Sequence, residues 1–120
     1  MIQLIKSPEN VAAFRALGEV TKKDYEEVVV PAVEALVNRT DQLNFLLQLD
    51  TDLGNYTMGA WFEDVMIGLK NLGKWHKAAI VTDSEKIINF TNAFSYIAPG
   101  EYKGFKKDEL AVALLWVGDK

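Results

Sequence analysis

Short apolar runs alternate with helical patterns along the whole chain. The turn residues Ser7 and Pro8 separate the first two runs, which predicts an antiparallel hairpin at the start. The third and fourth runs are almost continuously apolar, as in strands covered on both faces. Five segments are therefore predicted to be strands: Ile2–Ile5, Val11–Leu17, Leu43–Leu49, Ala78–Val81 and Tyr102–Phe105.

Four further segments have apolar residues at helical spacing. The first begins at Thr21, where Thr21 and Asp24 form a capping-box pattern, and Pro31 within it predicts a bend. The second runs from about Thr57 to Leu72 and the third follows the polar elbow Thr82-Asp83-Ser84. The fourth covers Lys107–Val117. The predicted inward residues of the last two are Ile87, Phe90, Thr91, Phe94, Ile97, Ala98, Leu110, Leu114 and Val117.

The resulting order is β-β-α-β-α-β-α-β-α, which we interpret as one domain over residues 1–120. Strands that alternate with helices are joined by right-handed crossovers and pair in parallel. The initial hairpin adds one antiparallel member. The sequence therefore predicts an α/β fold with a mixed, mostly parallel sheet.

Composition narrows the range of functions. The net charge of −4 and the absence of a basic stripe argue against nucleic-acid binding, and the Lys22-Lys23 and Lys106-Lys107 pairs are interpreted as solvated. The chain has no Cys, which excludes disulfides, thiolate nucleophiles and Cys-based metal sites. No apolar stretch is long enough for a membrane span, and no signal-peptide pattern is present at the start. We therefore expect a cytoplasmic protein that is not an integral membrane protein.

Polar residues that follow the parallel strands define the candidate site. Because the carboxyl ends of parallel strands meet at one edge of a sheet, the polar segments after them converge there. The alternative is that Thr and Asp at these positions only cap helices. His76 precedes the fourth strand at the opposite edge, and we interpret it as structural. The residues chosen as ligand- or partner-binding are Asp50, Thr51, Tyr56, Thr57, Thr82 and Asp83.

Two kinds of phosphotransfer protein share part of this pattern. The Asp50-Thr51-Asp52 segment after a strand, with Thr82 after a later one, superficially resembles a haloacid-dehalogenase-type phosphatase. Such enzymes need a later acidic pair for magnesium, which is not evident. A response-regulator receiver has a similar length but carries an acidic pair after its first strand, where this chain has Ile5-Lys6-Ser7. We therefore expect no metal, no cofactor and no catalysis.

Several motifs together resemble a known family. In order and spacing they look like the SpoIIAA-like bacterial proteins of the STAS fold (sulfate transporter and anti-sigma-factor antagonist). The resemblance implies a small α/β sandwich with helices mainly on one face of the sheet. The motifs are G-E-V-T-K-K-D-Y-E at Gly18–Glu26, V-P-A-V-E at Val30–Glu34, M-G-A-W-F-E-D at Met58–Asp64, I-V-T-D at Ile80–Asp83 and P-G-E at Pro99–Glu101.

The resemblance also implies what such a domain binds. Antagonists of this fold bind a partner protein and are switched by phosphorylation of a Ser or Thr after the central strand. The closest counterpart here is Thr57, although no Ser occupies the site and Asp52–Asn55 lengthens the loop. The subgroup also looks like the lipid-binding CRAL-TRIO fold, which implies a small apolar ligand between sheet and helix.

These observations predict a non-catalytic binding or regulatory domain. It would engage a partner protein or a small ligand at the carboxyl edge of the sheet. The alternatives are a carrier of a lipid-like ligand in a cavity between sheet and helix, and a module of the anti-sigma-antagonist type switched at Thr57. Ile67, on the polar face of the second predicted helix, raises the prospect of a homodimer.

Overall fold

The computed structural model describes residues 1–18, 21–50, 74–96 and 100–119. Within them five strands form one sheet whose spatial order follows the order along the chain. The first pair is antiparallel and the other three pairs are parallel, so the predicted mixed α/β sheet is confirmed. The strands are β1 (Ile2–Leu4), β2 (Ala12–Leu17), β3 (Leu43–Asp50), β4 (Trp75–Val81) and β5 (Glu101–Phe105).

Three helices belong to the described part of the chain. Helix α1 has an α-helical turn (Lys22–Asp24), a π-helical turn (Tyr25–Val29) and a longer α-helical part (Val30–Thr40). Helix α2 is Glu85–Phe94, and α3 begins with a 3₁₀ turn (Lys107–Glu109) that continues as Leu110–Gly118. The helix predicted over residues 57–72 lies outside the described residues.

The helices cover both faces of the sheet but unequally. Helices α1 and α2 pack on one face, over a core that includes Phe14, Phe45 and Ile80. Of the described helices, only α3 packs on the other face, against Leu46 and Val81. Adjacent residues of a strand point to opposite faces, so the apolar runs of β3 and β4 supply both cores. Among the described helices, the expected arrangement mainly on one face is confirmed.

Helix α1 begins as the sequence predicts. The side chain of Thr21 accepts the backbone N–H of Asp24, and the Asp24 carboxylate accepts the N–H of Thr21, both at 3.1 Å. A π turn lies directly before Pro31, the residue at which the sequence predicts a bend, and it is closed by a bond from the Val30 N–H to the Tyr25 carbonyl. A proline ring clashes with the carbonyl four residues earlier in a regular helix, and the wider turn relieves that crowding.

Helix α2 departs from the sequence prediction at two points. Its N-cap is Ser84, whose side chain accepts the N–H of Ile87, so Thr82 does not cap it. Phe90, predicted to face inward, is 41% exposed. The helix instead approaches the sheet through Ile88. A β-carbon on Gly104 of β5 would lie 2.7 Å from the Ile88 Cα, so glycine permits this close packing.

Helix α3 is apolar on every side. Ala113 and Val117 are buried against the sheet, whereas the predicted inward residues Leu110 and Leu114 are only half-buried. Val112 and Leu115 are exposed. They line an open groove of about 590 Å³ on the outer side of the helix, together with Pro8, Leu114, Trp116, Gly118 and Asp119.

Candidate functional site at the carboxyl edge of the sheet

The carboxyl ends of the parallel strands lie side by side, as the sequence predicts. In the register of the sheet, Leu17 pairs with Asp50 and Val81 pairs with Phe105. Helix α3 begins at the same edge, directly after β5. Side chains from β2, β3, the elbow after β4 and the first turn of α3 therefore come within reach of one another.

Asp50, the last residue of the central strand, accepts hydrogen bonds from two cationic side chains at this edge. Arg15 Nε donates to Asp50 Oδ2 at 2.9 Å, and Arg15 Nη2 donates to the same oxygen. Lys107 Nζ donates to the other oxygen, Oδ1, at 2.8 Å. Asp50 and Arg15 lie on the α3 side of the sheet, where the first turn of α3 places Lys107. One carboxylate thus joins β2, β3 and α3.

The two cations determine the charge state of Asp50. The hydrogen bonds from Lys107 and then from Arg15 hold the pKa of the Asp50 carboxyl below its ordinary value, against a smaller opposing effect of burial. Asp50 is therefore ionised at neutral pH. A carboxylate that is bound by two cations is a poor general base and a poor nucleophile, because its lone pairs and charge are already engaged.

The elbow after β4 contributes Asp83 to this edge but not Thr82. Thr82 is buried, its N–H donates to the Phe105 carbonyl at 2.8 Å, and its hydroxyl accepts the N–H of Ser84 at 3.1 Å. These contacts shape the elbow, and the binding role predicted for Thr82 stays a prediction. Asp83 is exposed, and its Oδ1 accepts the backbone N–H of Lys107 at 3.3 Å. Asp50 and Asp83 are thus brought together through Lys107.

The remaining site residues from the sequence cannot be placed. Thr51, Tyr56 and Thr57 lie outside the described residues, and so does Ile67, on which the homodimer prediction depends. Their roles stay predictions.

Two functional residues were missed by the sequence reasoning. The Lys106-Lys107 pair was interpreted as solvated, yet the Lys107 ammonium contacts Asp50 and its backbone contacts Asp83. Arg15 was read only as part of a strand. A signal was available, because Arg15 is the one charged residue in the apolar run Val11–Leu17 and Asp50 ends the next strand. An opposite charge at the end of a neighbouring strand is the natural partner for it.

Polar side chains at the opposite, amino edge make a different kind of network. Asn44 Nδ2 donates to the Asn10 carbonyl at 3.0 Å, and Asn44 Oδ1 lies 2.8 Å from His76 Nδ1. Lys77 Nζ donates to the carbonyls of Trp116 and Asp119 at the end of α3, at 3.2 and 3.1 Å. Most of these acceptors are backbone carbonyls, so the amino edge fastens the loop before β2 and the end of α3 to the sheet. His76 lies at the amino edge of the sheet, as expected.

Nowhere in the described ranges do three His, Asp or Glu side chains lie close enough to share a metal ion. None of the helices in these ranges is long and apolar enough to cross a membrane. Among the described residues, the carboxyl edge includes two cations, Arg15 and Lys107, and two carboxylates, Asp50 and Asp83.

The fold and this edge define a class: a small α/β domain of the STAS type, with the antiparallel hairpin before a parallel sheet. The SpoIIAA-like family model matches residues 11–118, and the chain belongs to the SpoIIAA-like family. A similar solved structure is that of an uncharacterized protein of the DUF3478 family with a SpoIIAA-like fold, from Shewanella loihica PV-4. It is 27% identical, the match covers 98% of this chain and 92% of that one, and the TM-score is 0.65. No protein of curated function matches the chain.

Proposed function

We propose that this protein is a non-catalytic binding or regulatory domain that engages a partner protein or a small ligand at the carboxyl edge of its sheet. The observation that supports this is the cluster of Arg15, Asp50 and Lys107. It gathers side chains from three elements at one edge, and all three remain partly exposed. The polar groups at the amino edge, in contrast, are mostly bound to backbone carbonyls.

A fragment screen by amide NMR tests the location. The full chain, labelled with ¹⁵N, is titrated with small acidic, basic and neutral fragments. We expect the perturbed amides to cluster around Asp50, Asp83 and Lys107. Shifts that cluster instead around Asn44 and His76, or that spread evenly over the surface, would exclude the carboxyl edge as the binding surface.

A second candidate function, carriage of a small apolar ligand between sheet and helix, is favoured by Trp75. Its side chain is only 8% exposed and packs against Phe45 and Tyr102 on the α1 and α2 face. Its indole N–H nevertheless has no acceptor among the residues that the structure describes. A buried donor without a partner is costly, and an oxygen atom on an apolar ligand would satisfy it.

Native mass spectrometry distinguishes this second candidate. A carrier copurifies with a small molecule whose occupancy falls in Trp75→Phe, a change that keeps the aromatic packing and removes only the donor. A clean apo mass from gently purified protein, with unchanged tryptophan fluorescence on addition of oleate, would exclude it. The proposed switch at Thr57 is tested separately by a Thr57→Asp variant, which should gain or lose a partner in a pull-down.

A further inference from the structure

The charged groups at the carboxyl edge leave cationic donors unused. A guanidinium has five N–H donors and an ammonium has three. Three of these eight contact Asp50: two from Arg15 and one from Lys107. Asp83 contacts the backbone N–H of Lys107 and not its ammonium. The other five donors, all on charged groups, have no hydrogen-bond acceptor within the described ranges.

The exposure of the three side chains shows which of them faces outward. The side chains of Arg15 and Lys107 are 40% and 34% exposed, whereas that of Asp50 is 24% exposed. The cations are thus more accessible than the carboxylate that they share. An incoming anion meets Arg15 and Lys107 without first having to displace Asp50.

The net charge of the whole chain does not favour the binding of an anion at the carboxyl edge. The net charge of −4 repels anions at long range, so any oxyanion that binds must be held locally. Arg and Lys on neighbouring elements provide the bidentate fork and the point charge that carboxylate and phosphate groups use. Ion pairs as exposed as those of Asp50 contribute little net stability, so a ligand can weaken them at small cost.

We infer that the carboxyl edge binds an oxyanion, a phosphate or carboxylate group of its ligand, across Arg15 and Lys107, with Asp50 as the internal competitor for the same two cations. This inference rests on the proposed function and specifies its ligand class. It makes Asp50 the residue whose loss strengthens binding, and Arg15 and Lys107 the residues whose loss weakens it.

The substitution Asp50→Asn removes the internal competitor and tests whether the two cations bind an oxyanion. Wild-type protein and Asp50→Asn are titrated with pyrophosphate and with succinate at constant ionic strength, with 1,4-butanediol as the neutral control. Asp50→Asn should bind the two anions about fivefold more tightly, because the competitor for both cations is then uncharged. Pyrophosphate represents phosphate ligands and succinate represents carboxylate ligands, so the two titrations also identify the preferred source of the oxyanion.

Loss of the cations is measured in the same Asp50→Asn background. Adding Arg15→Gln or Lys107→Gln should weaken binding by about tenfold, since each removes charge-assisted hydrogen bonds. Arg39→Gln is the matched control, because Arg39 is exposed and donates to the Glu9 carbonyl away from this edge. It removes one positive charge and should leave the affinity unchanged.

Three outcomes overturn the inference: no tighter binding in Asp50→Asn, equal weakening by Arg39→Gln, or equal binding of the neutral diol. If Asp50→Asn loses native amide dispersion, Lys107→Gln and Arg39→Gln are compared in the otherwise unchanged chain, with the same expectation. Neutral fragments that bind at this edge while anions do not would remove the anion preference and keep the proposed function. Fragments that bind elsewhere would remove the function itself.

Discussion

The two edges of the sheet use polar side chains in different ways. At the amino edge, Asn44 is buried and both ends of its amide are bonded, and Lys77 is buried with its ammonium on two helix-terminal carbonyls. At the carboxyl edge, Arg15 and Lys107 are partly exposed and share one carboxylate. Buried and satisfied groups stabilise a fold, whereas exposed charges with spare donors contribute little to it. The amino edge therefore stabilises the fold, whereas the carboxyl edge presents partly exposed charged groups.

The largest expected effect on stability is at Asn44. Asn44→Ala removes the donor to the Asn10 carbonyl and the partner of His76. The Asn10 carbonyl and the His76 ring nitrogen, both on half-buried residues, are then left unpaired. We expect a loss of about 2–3 kcal/mol in the free energy of unfolding, measured by urea denaturation. Gln48→Ala is the matched control, on the same strand and the same face but nearer the carboxyl edge. A similar loss in the control would contradict the difference between the edges.

A smaller loss is expected at Lys77. Its ammonium lies at the carboxyl end of α3, where a cation is favoured by the helix dipole, and 5.3 Å from the centre of the Trp116 ring. Lys77→Met keeps the apolar stem and removes the charge, which should cost about 1–2 kcal/mol. Lys103→Met, an exposed lysine on the adjacent strand, should change stability by less than about 0.5 kcal/mol. Equal effects in thermal unfolding would show that Lys77 does not fasten α3.

The pH dependence of the melting temperature tests whether Asp50 forms ion pairs with Arg15 and Lys107. Its pKa is lowered in the folded protein by Lys107 and Arg15, so its contribution is present above the ordinary carboxyl pKa, about 4. That contribution is lost as the pH falls through the lower pKa of the folded state. Asp50→Asn should therefore melt slightly below the wild type at pH 7, and the two melting temperatures should converge under more acid conditions. A difference that grows on acidification would contradict the ion-pair assignment.

The smallest effect concerns the elbow after β4 and separates the role of Ser84 from that of Asp83. Ser84→Ala removes the N-cap of α2 and should cost about 0.5–1 kcal/mol, read from the urea midpoint. Asp83→Ala, one residue earlier, removes an exposed acceptor of a backbone N–H and should cost less. The reverse order would show that the elbow depends on Asp83 and not on the cap.

Most of the fold could be predicted from the sequence because the patterns that indicate its helices and strands are local. The capping box at Thr21 and Asp24 and the apolar run of β3 each depend on residues near in sequence. The sequence alone did not single out Ser84 as the cap of helix α2, because Thr82, Asp83 and Ser84 are all residue types that cap helices. Phe90 was wrongly placed inside, since Gly104 lets the helix approach through Ile88 instead.

Only part of the candidate site could be predicted from the sequence. The convergence of strand ends follows from parallel pairing, and it correctly brought Asp50 and Asp83 to one edge. Which side chain contacts which depends on the face of each strand, and the sequence reasoning did not follow face parity. Arg15 and Asp50 share a face with α3, and Lys107 reaches Asp50 across 57 positions of sequence. Such a contact has no local signal.

The central claim is that Arg15 and Lys107 form the binding groups of the carboxyl edge, and the Arg15 Nε–H resonance tests it most directly. In Asp50→Asn this signal is followed by NMR during a pyrophosphate titration, together with the side-chain amide of Asn44. We predict a saturable shift of the Arg15 signal and of the Lys107 amide, while Asn44 stays constant. An Arg15 signal that does not move, or that moves no more than that of Asn44, would contradict the account.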